Sequence, residues 1–160
     1  MDQARKAMAR LVLEKSGVES ADCRIVLVVD DYDEARQLLA EYLATVVGFR
    51  VETAADGRRA VEIAEQVRPA VVIMDLAMPV LDGVEATRRI KANPETKDIV
   101  VIALTAFRPQ DEAPRRALEA GCAEVLTKPV DVKLLEQRIR HHCEQQASPP
   151  DSPVLPEPAT

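Results

Sequence analysis

A chain of 160 residues, 47% hydrophobic and 30% charged, is long enough for one domain with its own core and too short for two ordinary ones. Aromatic residues make up only 2% and tryptophan is absent, so that core has to be aliphatic. A formal net charge of −6 argues against nucleic-acid binding as the main business of the chain.

Residues 2–15 place Ala4, Met8, Leu11 and Val12 at roughly helical spacing and stop at Ser16-Gly17. This predicts a helix within an N-terminal extension, residues 1–22. The longest apolar run there, Leu11-Val12-Leu13, is too short for a signal-peptide core or a membrane span. The core pattern then begins: Ile25-Val26-Leu27-Val28-Val29 runs without a polar break into Asp30-Asp31. Such a run reads as a strand buried on both faces, as in a parallel sheet. Ala35, Leu38, Leu39, Tyr42, Leu43 and Val46 form the stripe of an amphipathic helix stopped by Gly48. A short strand at 49–54 and a helix at 57–67, closed before Pro69, come next.

Ala70-Val71-Val72-Ile73-Met74 is a second unbroken run, and it ends in Asp75. A carboxylate at the end of a buried strand is costly unless something pairs with it. Pro79 and Asp82-Gly83 force a turn, and a helix at 83–92 follows until Asn93-Pro94 breaks it. The run 99–104 ends in Thr105. A helix at 111–120 must keep Pro114 in its first turn and stops at Gly121. Val125-Leu126-Thr127 ends in Lys128-Pro129. A last helix, 131–145, is expected to turn Leu134, Leu135 and Ile139 inward. The tail, 147–160, holds Pro149, Pro150, Pro153, Pro156 and Pro158 and reads as extended or disordered.

Alternating strands and helices with right-handed crossovers predict an α/β domain with a mainly parallel sheet covered on both faces. Ligands of such sheets sit beyond the carboxyl ends of the strands. Asp30-Asp31, Asp75, Thr105 and Lys128 all fall at that edge. Three carboxylates in one crevice repel one another, and a hard divalent cation, Mg²⁺ above all, relieves that repulsion. Lys128 is a compact charge suited to phosphate, and Thr105 offers a hydroxyl donor. The set suits phosphoryl transfer to Asp75. Read singly, the acid pair could instead cap the following helix. His141-His142-Cys143 is no metal site, because neighbouring helical residues point about 100° apart. His142 falls on the inward stripe and His141 outside it. Cys23, Cys122 and Cys143 fit no metal-ligand spacing, and their odd number suits a reducing cytosol.

Asp30-Asp31, Asp75 with Met78-Pro79-Val80-Leu81-Asp82-Gly83, Thr105-Ala106 and Lys128-Pro129 together resemble the receiver domain of two-component response regulators, over 23–146. The resemblance implies a doubly wound, five-stranded, flavodoxin-like sheet of order 2-1-3-4-5. It implies Asp75 as phosphoacceptor from a kinase phosphohistidine, and Mg²⁺ held by Asp31, Asp75 and the backbone carbonyl of Ala77. Asp30 would assist through water, Thr105 and Lys128 would meet the phosphoryl oxygens, and the Lys128–Pro129 bond would be cis. The partners implied are a sensor histidine kinase or histidine phosphotransfer protein and a downstream protein, with room for a homodimer. A cytoplasmic, stand-alone phosphoacceptor is expected, with no enzymatic turnover beyond its own phosphorylation and dephosphorylation.

Receivers usually carry Tyr or Phe three residues before the lysine; here Val125 stands there, which departs from the usual threonine–aromatic readout. Two other readings compete. A Mg²⁺-dependent aspartyl-phosphate phosphohydrolase would need an acidic residue two after its nucleophile, where this chain has Ala77. A receiver-like binding module that works without phosphorylation would not need all of Asp30, Asp31, Asp75, Thr105 and Lys128.

Overall fold

The fold is described from a computed structural model, for residues 25–147 except 79 and 107–109. The expected N-terminal extension and Pro-rich tail lie outside these residues, as does Pro79. The aliphatic runs are strands: β1 Ile25–Val29, β2 Arg50–Ala54, β3 Val71–Asp75, β4 Val100–Ala106 and β5 Glu124–Lys128. The helices are α1 Asp33–Glu41, α2 Gly57–Val67, α3 Gly83–Ala92, α4 Ala113–Ala120 and α5 Val132–Ala147. Every strand pairing is parallel and the order is β2-β1-β3-β4-β5, the expected doubly wound, flavodoxin-like sheet.

β3 is buried along its whole length, because its side chains alternate between two cores. Val72 and Met74 join Leu27, Ile63, Ile90 and Ala117 beneath α2, α3 and α4. Val71 and Ile73 join Val26, Leu43, Leu135 and Ile139 beneath α1 and α5. Helices thus cover both faces, and in the central strands β1, β3 and β4 the polar residues fall at the carboxyl ends.

The α1 stripe departs from expectation. Its helix widens into a π-helical turn, Tyr42–Val47, closed by Gly48 in the left-handed conformation at φ 92°. The wider turn rotates the stripe by a residue. Leu43 is buried and Val47 packs on the core, while Val46 is 63% exposed. Leu38 is 72% exposed because Leu39, beside it, takes the inward place. Leu134 in α5 repeats the pattern: expected inside, it is 41% exposed, whereas Leu135 and Ile139 are fully buried.

Pro114 sits in the first turn of α4, where its missing N–H leaves no bond unmade. Cys122 is free and buried while Cys143 is disulfide-bonded, so the cysteines do not carry the expectation of a reducing cytosol. Among the described residues no helix is long and apolar enough to cross a membrane.

Candidate functional site

Register assembles the site. Val29 pairs with Met74, so Asp30 and Asp75 come side by side where β1 and β3 end. Asp75 pairs with Leu104, which sets Thr105 one residue beyond it, and Ala106 pairs with Lys128. Carboxylate oxygens of Asp30, Asp31 and Asp75 lie within 4.8 Å of one another. Asp30 and Asp75 are buried and Asp31 is exposed. From the end of β5, Lys128 Nζ donates to Asp30 Oδ2 at 3.2 Å and stands 3.4 Å from Asp75 Oδ2.

Backbone amides hold the other oxygens. The Tyr32 N–H donates to Asp30 Oδ1 at 2.9 Å, and the Ala77 N–H donates to Asp75 Oδ1 at 3.2 Å. Thr105 is buried, and its hydroxyl donates to the Ala106 carbonyl at 3.3 Å, long enough to be exchanged for a better acceptor. The Lys128–Pro129 peptide is cis, as the resemblance implies. Helix capping does not account for the acid pair: the residue at the cap of α1 is Tyr32, and no side chain caps it.

Among the described residues the electrostatics leave the cluster short of positive charge. Burial pushes the Asp75 carboxyl above the ordinary carboxylate range and Asp30 adds to the push, against the pull of Lys128 and the Ala77 amide. Burial works downward on Lys128, but Asp75 and Asp30 outweigh it and raise the ammonium. One lysine therefore faces three carboxylates and satisfies two. The Asp31 carboxylate has no hydrogen-bond or ion-pair partner among the described residues. Oxygen donors in this number, one of them open to water, fit a hard divalent cation of the Mg²⁺ type.

Sequence reasoning misses Arg36, which bends back from α1 to the Asp30 carbonyl at 2.8 Å. Its only signal is an i,i+3 spacing to Asp33, which reads as an ordinary surface pair. Val125 is half-buried against the α2–α3–α4 core, so no aromatic ring occupies that point of β5. His142 is half-buried and shares Glu124 with Arg138, at 2.7 and 3.3 Å, while His141 is exposed. Neither belongs to a metal-type cluster among the described residues.

Residues 26–140 match the family described as the response regulator receiver domain. The chain is 39% identical over 117 residues to the response regulator GacA of Pseudomonas viridiflava, covering 72% of this chain and 53% of that one. It is 36% identical over 115 residues to the response regulator PleD of Caulobacter vibrioides, covering 72% of this chain and 25% of PleD. It thus spans about half of one relative and a quarter of the other. Among solved structures it resembles the receiver domain of the sensor histidine kinase PA1611 from Pseudomonas aeruginosa PAO1, described with a magnesium ion coordinated in its active-site cleft. That likeness has a TM-score of 0.68 at 34% identity, and covers 76% of this chain and 98% of the other.

Proposed function

The chain belongs to the response regulator receiver domain family, the phosphoacceptor modules of two-component signalling, and from that premise we propose that Asp75 is the acceptor. The observation that carries the assignment is the Lys128 ammonium, 3.2 and 3.4 Å from Asp30 and Asp75 inside a triad of carboxylates. A carboxylate oxygen of Asp75 forms the new P–O bond as the P–N bond to a donor phosphohistidine breaks, and the imidazole leaves. Lys128 then pairs with a phosphoryl oxygen instead of Asp75. The Thr105 hydroxyl turns from the Ala106 carbonyl to donate to a second one. Asp31, Asp75 and the Ala77 carbonyl would hold Mg²⁺, and Asp30 would assist through water. When bound, the cation neutralises charge gathered on the phosphoryl oxygens.

A sensor histidine kinase or histidine phosphotransfer protein supplies the phosphoryl group in the cytoplasm, and a downstream protein reads it. Val125, short and packed into the core, supports a readout that does not run through a swinging ring at that position.

Intact-mass measurement after incubation with acetyl phosphate tests the acceptor reading. One phosphate should be gained with Mg²⁺ and none after chelation; no gain with Mg²⁺ overturns it. Lys128→Ala separates the roles of the two charges. Removing the Lys128 ammonium leaves the carboxylates more negative, so Mg²⁺ affinity should hold or tighten, while phosphorylation slows by on the order of tenfold or more. A variant phosphorylated at the wild-type rate removes Lys128 from its role.

A further inference from the structure

We propose that Arg36 is a positioning residue for the acid pair, clamping the β1–α1 turn so that Asp31 is presented to the cation; this rests on the assignment of Asp31 and Asp75 as its ligands. Arg36 lies in the N-terminal half of α1, where the helix dipole disfavours a cation and a solvated side chain would be the ordinary outcome. Yet its side chain is only 13% exposed. It folds back over the turn: Nη1 donates to the Asp30 carbonyl at 2.8 Å and Nη2 to Asp33 Oδ1 at 2.5 Å. One rigid, planar group thereby ties two points of the loop together.

The carbonyl it holds is the informative part. The Asp30 C=O and the Asp31 N–H belong to one peptide plane, so fixing the carbonyl fixes the plane from which Asp31 departs. Neighbouring bonds already fasten both flanks: the Asp30 N–H donates to the Ala54 carbonyl at 3.2 Å, and the Arg36 N–H to the Tyr32 carbonyl at 3.0 Å. The Asp31 carboxylate has no bond of its own to aim it among the described residues. Its direction is set by the backbone, which two side chains hold: Asp30, whose Oδ1 accepts from the Tyr32 N–H at 2.9 Å, and Arg36, which fixes the Asp30 carbonyl from outside the turn.

Position and charge make opposite predictions here. As a bare positive charge beside a cation site, Arg36 would weaken Mg²⁺ binding, and its removal would tighten it. As a positioning residue, its removal loosens binding. The experiment is Mg²⁺ titration by calorimetry of the full chain, with amide hydrogen exchange of the metal-free protein as a readout independent of metal.

Arg36→Gln should weaken Mg²⁺ binding about tenfold, the lower end for groups that orient metal ligands, and speed exchange at the Asp31 and Tyr32 amides. Arg36→Lys keeps the charge but cannot span both acceptors, and should recover only part of the affinity. Asp33→Ala, which removes only the outer anchor, should weaken binding less than Arg36→Gln. It carries the test should both Arg36 variants fail to fold. Wild-type binding with unchanged or tighter affinity in the variants overturns the inference alone. A wild type that binds no Mg²⁺ overturns the metal assignment, and this inference with it.

Discussion

Asp75→Asn is expected to abolish phosphate gain without unfolding the chain. The amide keeps the shape of the carboxylate but has no oxygen nucleophilic enough to attack phosphorus. The Ala77 N–H can still donate to the amide oxygen, and Lys128 keeps Asp30, so local packing survives. Stability should even rise near neutral pH. Burial raises the Asp75 carboxyl above its ordinary range in the folded state. An acid whose folded pKa is raised favours folding when protonated and opposes it once pH climbs through that pKa and it ionises. A neutral Asn removes the opposing charge, so its advantage is largest near neutrality and fades in acid. Intact mass and thermal melting across pH check both halves. Phosphate gain at the wild-type rate would move the acceptor elsewhere, and a large fall in melting temperature at neutral pH would make Asp75 chiefly a structural ion-pair partner.

Strands and site were legible for one reason. An aliphatic run buried on both faces admits polar residues only where it ends, so Asp30, Asp75, Thr105 and Lys128 announced a shared edge before any pairing was known. What stayed hidden was rotational. Leu38 and Leu39, like Leu134 and Leu135, are adjacent apolar residues about 100° apart on a helix, and periodicity alone does not say which faces in. The π-helical turn at Tyr42–Val47 added a phase slip that no residue type marks, and Val47 took the place assigned to Val46. Arg36 was hidden differently: its work is on a backbone carbonyl, and a carbonyl has no letter in the sequence.

Gly83 carries a constraint that the sequence does not display. It is the first residue of α3, where the sequence places the helix start, and Asp82 is the cap, accepting from the Glu85 N–H at 2.8 Å. The constraint is space. A Cβ there would stand 2.2 Å from the Asp75 carbonyl oxygen, 2.9 Å from Leu76 Cα and 3.0 Å from the Asp75 carbonyl carbon. All three are backbone atoms at the end of the central strand, and none can swing aside as a side-chain tip would. Either α3 lifts from the sheet, opening the packing around Val84, Ala86 and Ile90, or the end of β3 moves and takes Asp75 with it. Overpacking of this kind costs about 1–3 kcal/mol, and clashes confined to backbone belong at or above the upper end. The gain in helix propensity from Gly to Ala, about 1 kcal/mol within a helix, is smaller at a first position and does not offset it. Gly83→Ala should therefore lower urea stability by about 2–3 kcal/mol and slow phosphorylation of the molecules that remain folded. Gly57→Ala serves as the contrast, because its closest atom, the Leu81 carbonyl oxygen at 2.3 Å, belongs to the connection between β3 and α3 and not to the end of the strand that carries Asp75. If Gly83→Ala is as stable as the wild type, the close approach of α3 to Asp75 is not a constraint on the fold.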